Sequence, residues 1–314
     1  MPDLIEVTRS FSAMNTDVEA IICVPRGERN EGEKALVRVQ GIFQEVETAL
    51  SRFSPDSELS GLNRAAGVPF KASHLLFTVV TAAKEAACFS GGIYDPTILP
   101  YLLAAGYDRS FERLSDSPDS PVYQLNSRFN WRDIILDAEK STVTLPAGCG
   151  LDLGGIAKGW TVDRVSEGLK QLSGFAVNAG GDMFAGGKRA DGSLWSVGVV
   201  DPFNPESNLT VLELTNRAVC TSSTTKRNWR RNGIYGHHLI DPRSGKPSAS
   251  AVISATVIAE SAVTAEIIAK TALILGPVVG MEFIQNQSGI DGILVLNDGR
   301  LLISSNSREV TNVH

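Results

Sequence analysis

The run LDLGGIAKGW, Leu151 to Trp160, holds the residue types that handle a phosphate. Gly154 and Gly155 stand immediately before a stretch with helical periodicity, and Lys158 falls in its first turn. Backbone N–H groups at a helix start carry partial positive charge, glycine lets a ligand approach them, and an ammonium adds a full charge. The chemistry on offer is anion binding. Taken alone, a tight strand-to-helix turn with a solvated lysine explains the same residues. Asp152 and Asp163 are open between contacting a ligand, capping the turn and holding a metal's water.

A second glycine pair lies in Asn178-Ala179-Gly180-Gly181-Asp182, where a backbone can approach something flat or simply turn sharply. In HHLIDPRSGKP, His238 stands beside a strand and Asp241-Pro242 in a turn. Its imidazole can serve as a general base, as a phosphate contact or as a structural hydrogen bonder. Glu266 and Lys270 sit four apart on the last helix in the orientation of a favourable surface ion pair. Trp131, Trp160, Trp195 and Trp229 are open between stacking on a ring system and ordinary core or rim positions.

These residues need elements to hold them. Asp17 to Cys23 reads as a strand, and Leu36, Val39, Phe43, Val46 and Leu50 recur at helical spacing after a polar turn. An Ala-rich helix from Ser73 to Phe89 stops at Ser90-Gly91-Gly92, and GIYDPTILP follows as a loop. Ser115 to Pro121 reads as an exposed excursion. Beyond Gly150 the pattern is a helix from about Ala157 to Leu172, then strands in FAVN, LWSVGVV, LTVLEL, AVCTS and VISATVIA. A helix from Glu266 to Leu275 ends at Gly276, and ILVLNDGRLLIS reads as a hairpin turning at Asn297, Asp298 and Gly299. Helices and strands come in blocks, which favours α+β with mixed or antiparallel sheets over a doubly wound sheet.

The chain of 314 residues, 43% hydrophobic and 20% charged, can bury a sizeable core as one domain over 1–314 or as two intimate lobes, about 1–150 and 151–314. A net charge of −6 without a basic block argues against a nucleic-acid partner. No apolar run reaches the length of a membrane span, and no export signal or acylatable cysteine stands near the start, so a cytoplasmic enzyme is expected. Cys23, Cys88, Cys149 and Cys220 are far apart and read as reduced, buried thiols.

Taken in order, the blocks SAMNTDVEAII, LSRFSPDSELSGLN, GGIYDPTILPYLLAAGYD, LDLGGIAKGWTVDR, VNAGGDMFAGG, WSVGVVDP, AVCTSS, HLIDPRSGKP and the last helix ending ALILG resemble the ApbE family of FAD:protein FMN transferases. The resemblance covers nearly the whole chain. It implies a fold related to the T-fold with a cleft for FAD, the pyrophosphate lying near Gly154 and Gly155. Carried over position by position, it implies FAD contacts at Met14, Phe53, Ile93, Tyr94, Asp95, Asp152, Lys158 and Ile240, with phenylalanine where tyrosine is frequent at position 53. It also implies a divalent metal, usually Mg2+, with the Gly155 carbonyl among its ligands. A Ser or Thr hydroxyl of a flavin-acceptor protein would attack the FMN phosphorus and AMP would leave, with His238 assisting the hydroxyl.

Three departures from the family pattern stand out: Met14-Asn15-Thr16 for Met-Gly-Thr, Thr221-Ser222-Ser223 for Thr-Ser-Gly, and Ala265-Glu266 with Lys270 for the metal-binding A-D-x-x-x-T. Glutamate can still ligate magnesium; a protonated lysine cannot. Two readings stay open. Either Lys270 places its ammonium where the metal would lie and weakens or abolishes transfer, or the metal binds through Glu266 and backbone oxygens away from Lys270. An FAD-binding or flavin-delivery protein without transfer, and a metal-dependent FAD pyrophosphatase, are the alternative functions.

Overall fold

In the computed structural model, residues 3–109, 129–226, 228–231 and 234–304 are described. The excursion expected at Ser115 to Pro121 lies outside them. The chain divides into two compact, interleaved units: 1–45, 158–222 and 251–314 form the first, 46–157 and 223–250 the second.

The first unit is built on an eight-stranded sheet of β1 (Leu4–Ala13), β2 (Thr16–Pro25), β3 (Gly174–Ala179), β4 (Asp182–Gly187), β5 (Arg217–Ser223), β6 (Val252–Ala259), β7 (Asp291–Leu296) and β8 (Leu301–Ile303). The strands lie in the sheet in the order in which they occur along the chain. The registers of β1 on β2, β2 on β3, β3 on β4, β4 on β5, β6 on β7 and β7 on β8 are antiparallel. β7 is buried at every residue and β3 and β6 at nearly every one, as expected of strands covered on both faces. A hairpin of Trp195–Val200 and Asn208–Leu214 packs Trp195, Val199, Leu212 and Leu214 onto Ala176, Ala185, Val219, Ile258 and Ile293 of the sheet. The α+β expectation holds, and every strand read from the pattern is present.

β1 is a strand that the sequence reading did not include, and it is the edge partner of β2 through ten paired residues. Helices α5 (Ala157–Leu169), α6 (Ala262–Leu275) and α7 (Pro277–Gln285) complete this unit. α6 starts a turn earlier than expected because Ser261 caps it, its side chain accepting from the Thr264 N–H. Gly276, at φ 88°, ends α6, and Pro277 begins α7, a helix not anticipated.

Helix α1 (Arg29–Leu50) buries Leu36, Val39, Phe43, Val46 and Leu50, the five residues read as its apolar stripe. The second unit contains α2 (Glu58–Arg64), α3 (His74–Phe89), α4 (Leu99–Ala104) and a small antiparallel sheet of Phe70–Lys71, Thr142–Thr144 and Ile135–Asp137. Ser73 caps α3, and Gly91 and Gly92, at φ 64° and 83°, end it in the left-handed conformation that glycine adopts without strain. The segment GIYDPTILP is only half a loop. Asp95 caps a 3₁₀ turn at Pro96–Ile98 that runs into α4, so Asp-Pro here starts a helix. Cys23, Cys149 and Cys220 are buried free thiols as expected; Cys88 is free but exposed. Among the described residues no helix is long and apolar enough to cross a membrane.

Candidate functional site

The residues singled out in the sequence divide between the units. Met14, Lys158, Glu266 and Lys270 belong to the first; Phe53, Ile93, Tyr94, Asp95, Asp152, Gly155, His238 and Ile240 belong to the second.

In the second unit the glycine turn is held by side chains from the block LSRFSPDSELSGLN. The Asn63 amide brackets Leu151, donating to its carbonyl at 3.0 Å and accepting from its N–H at 2.8 Å. The Asp152 N–H donates to the Pro96 carbonyl, which ties this stretch to the start of α4. The Asp152 carboxylate accepts from the Gly154 N–H at 2.9 Å through one oxygen and from Arg52 Nε at 2.5 Å through the other. Of the three readings left open for Asp152, the turn-capping one is therefore realised. The turn at residues 154–156 then opens into α5, whose second residue is Lys158.

Arg52 was not identified from the sequence. Its side chain is only 6% exposed, so a guanidinium charge is buried here. Its carbon lies 4.1 Å from the Phe53 ring centre and 4.6 Å from that of Tyr107, a cation-on-ring contact on two faces. Tyr107 stacks on Trp229 at 5.2 Å, and Ile240 packs with Tyr101, Leu102 and Tyr107. Phe53 and Ile240 are thus brought to one aromatic cluster, and Trp229 packs at its rim against Tyr107. Arg52 Nη2 is buried without a hydrogen-bond partner among the described residues. The cost of leaving a buried donor unmade is about 1–3 kcal/mol.

Asp95 is buried, and its carboxylate is engaged on both oxygens, by the Thr97 N–H and hydroxyl and by the Trp131 N–H. Burial pushes its pKa up, against those hydrogen bonds. The adjoining Tyr94 is buried, and its N–H donates to Ser90 Oγ at 3.0 Å. Ile93 is half-buried in the same loop. The two histidines of HHLIDP differ. His237 is buried, Nδ1 accepting from the Leu239 N–H and Nε2 lying 3.0 Å from the Ser248 carbonyl, a pattern that fits the neutral ring with its proton on Nε2. Burial lowers its pKa. His238 is half-buried in the bend between Ile234–His237 and Ile240–Asp241.

In the first unit four charged side chains gather. Glu266 is fully buried; Oε1 accepts from Lys270 Nζ at 2.7 Å and lies 4.0 Å from Lys158 Nζ, and Oε2 accepts from the Gly159 N–H at 2.9 Å. Lys158 Nζ is paired with the buried Asp182 carboxylate. The Glu266–Lys270 pair read as a surface ion pair is therefore an interior one. Burial raises the Glu266 pKa, but Lys270, Lys158 and the hydrogen bonds from Lys270 and Gly159 outweigh it and hold the carboxyl below its ordinary value. Gly159 is indispensable to this contact: a Cβ there would fall 2.7 Å from Oε2 and 2.9 Å from the Ala262 backbone.

Asp182 was visible in the sequence only as the end of a glycine turn. It pairs with Ala179 across a two-residue hairpin in which Gly180 and Gly181 have φ 66° and 101°, so the sharp-turn reading explains those glycines. Asp163 accepts from the Ala262 and Val263 N–H groups and so caps α6; burial pushes its pKa up. Met14 and Asn15 form the two-residue turn between β1 and β2, at φ 55° and 56°. A left-handed methionine is strained, which marks the position as one where backbone geometry was favoured over comfort. Met14 Sδ accepts from the Thr161 hydroxyl at 3.8 Å.

The fold is that of proteins already solved. The ApbE protein of Thermotoga maritima superposes with a TM-score of 0.84 at 22% identity, covering 96% of this chain and 97% of that one. The flavin transferase ApbE of Vibrio cholerae gives 0.80 at 24%, covering 96% and 98%. The model of the ApbE family matches residues 14–294, and the chain belongs to that family. Its relatives include the FAD:protein FMN transferase of Treponema pallidum, 30% identical over 88% of this chain and 80% of the relative. A second is that of Klebsiella pneumoniae, 28% identical over 86% and 85%.

The metal implied by the resemblance meets a carboxylate that is already engaged. Both Glu266 oxygens are hydrogen-bonded, one of them by the ammonium at the position where a second side-chain ligand would stand. An ammonium has donors only and repels a cation. As arranged, Glu266 and Lys270 do not fit a divalent ion.

Proposed function

We propose that this chain is an FAD:protein FMN transferase, which takes FAD as substrate and modifies a Ser or Thr hydroxyl of a flavin-acceptor protein. The observation that carries the reading is the glycine turn at residues 154–156, which Asp152 caps at the Gly154 N–H with Arg52 behind its carboxylate, which follows a Leu151 bracketed by Asn63, and which leads directly into α5 and Lys158. The Gly154, Ile156 and Ala157 N–H groups are already taken by Asp152 and the Leu153 carbonyl, so what the helix start brings to a pyrophosphate is its dipole and the Lys158 ammonium in the first turn. The family and the names of the relatives supply the chemistry.

In the reaction the acceptor oxygen forms a bond to the FMN phosphorus of FAD, the bond from that phosphorus to the bridging oxygen breaks, and AMP leaves with the bridging oxygen. The hydroxyl proton goes to a base. His238, half-buried in the bend before Ile240–Asp241, is assigned that role on the family resemblance. Phe53 and Ile240, which pack in one cluster with Tyr107 and Trp229, are assigned to a flat heteroaromatic ring of FAD on the family resemblance. Met14, Ile93, Tyr94, Asp95 and Lys158 are assigned to the same substrate on the family resemblance.

The test mixes the full chain with FAD and an acceptor domain and reads the acceptor's intact mass. Gain of one FMN, abolished in Ser/Thr→Ala acceptor variants, is the expected result. Bound FAD without an adduct would favour the flavin-holding alternative, for which Lys270 seated on Glu266 is the supporting observation. AMP release without an acceptor would favour the pyrophosphatase.

A further inference from the structure

Resting on the reading of FAD as substrate, we propose that this chain holds the FAD pyrophosphate with a built-in cation, the Lys270 ammonium assisted by that of Lys158, in place of a divalent metal ion. Three observations carry it. First, both oxygens of the carboxylate that would anchor a metal are already engaged: Lys270 donates to Oε1 at 2.7 Å and the Gly159 N–H to Oε2 at 2.9 Å. Second, the backbone of α5 lies directly against the carboxylate: a Cβ at residue 159 would fall 2.7 Å from Oε2 and 2.9 Å from the Ala262 backbone, so no ion fits between Gly159 and Oε2. Third, Lys158 and Lys270 balance Asp182 and Glu266, two charges against two, so the cluster is complete without a further cation.

The two ammonium-bearing side chains are the parts of the cluster that reach solvent. The side chains of Lys158 and Lys270 are 17% and 14% exposed, against 3% for Asp182 and none for Glu266. Each ammonium has three donors, so one that holds a carboxylate can also donate to a phosphate oxygen. The buried carboxylates fix where the ammonium groups sit, and the two lysine side chains are the part of the cluster within an anion's reach. One ammonium brings a single charge and no coordination sphere, where magnesium brings two charges and an octahedral one. Binding is thereby freed of metal, and the expected cost falls on the rate of transfer.

The experiment titrates the full wild-type chain with FAD, reading flavin fluorescence, in chelator and again with Mg2+, and follows Mn2+ uptake by loss of the free-ion EPR signal. The expected result is FAD affinity equal within about twofold in the two conditions and no Mn2+ uptake beyond that of free FAD. Lys270→Gln should weaken FAD binding about tenfold or more without rescue by Mg2+, and Glu266→Asp with Lys270→Thr should make binding depend on Mg2+. Tightening of wild-type binding by about tenfold with Mg2+ would overturn the proposal and leave the flavin reading standing. Wild-type affinity in Lys270→Gln would also overturn it. Absence of FAD binding in both conditions would sink the flavin reading and this proposal with it. If the variants fail to fold, the wild-type titration and the Mn2+ signal decide alone.

Discussion

The two units each bury cations, and they treat them differently. In the first, Lys158 and Lys270 sit among carboxylates that they neutralise, and both Glu266 oxygens are used. In the second, Arg52 spends its charge on two ring faces and on Asp152, and one of its nitrogens is buried without a hydrogen-bond partner among the described residues. An engaged cluster fixes positions; a guanidinium with such a nitrogen keeps a donor in reserve. The contrast separates a scaffold for charge from a cluster of rings.

The sharpest way to break the contrast is Lys270→Ala, which leaves Glu266 fully buried with Lys158 only at 4.0 Å. Loss of about 3 kcal/mol in urea unfolding is expected for a broken interior pair, and a change near zero would mean that the cluster is not tightly coupled. The same cluster sets a pH dependence. The folded-state pKa of Glu266 lies below its ordinary value of 4.5, so its contribution is present above that pH and is lost as the pH falls through the lower folded value. Asp95 and Asp163, raised from 3.8, act the other way and gain stability as the pH falls toward that value. Glu266→Gln should therefore flatten the acid limb of an unfolding-versus-pH profile, and Asp163→Asn should steepen it.

Next in size is Gly159→Ala, which puts a methyl against Glu266 and the Ala262 backbone. About 2 kcal/mol should be lost, read as a fall in Tm, whereas Gly168, with nothing within 4 Å, should accept alanine freely. For the aromatic cluster, Arg52→Ala should cost about 1–2 kcal/mol and alter the emission of Trp229, since Tyr107 lies between the two. Arg52→Lys should recover only part, because an ammonium lacks the planar stack. The smallest effect is expected at the left-handed turn. Met14→Gly should stabilise the β1–β2 hairpin by roughly 0.5–1 kcal/mol while weakening FAD binding, and a loss of stability would mean that the Thr161 contact outweighs the strain.

Much of the fold was legible because periodicity and punctuation are local. The stripe from Leu36 to Leu50, the stop at Gly91-Gly92 and the strands after Gly174 follow from residues within a turn or two of one another. β1 and α7 escaped notice: a polar edge strand shows weak alternation, and a helix beginning at Pro277 directly after Gly276 looks like the end of its predecessor. The candidate site was legible as residue types. Its partners were not, since Arg52 reaches Asp152 across 100 positions and Gly159 reaches Glu266 across 107.

What the sequence by itself determined was the set of elements, the glycine turn opening into a lysine-bearing helix, and the departure from the family's metal ligands at Glu266 and Lys270. Only the tertiary structure decided that this pair is interior, that Gly159 and Asp182 complete it, and that Asp152 and Asp163 act as caps. The physical reason is that charge and hydrogen-bonding capacity belong to a residue, whereas burial and the choice of partner belong to whatever distant segment folds against it.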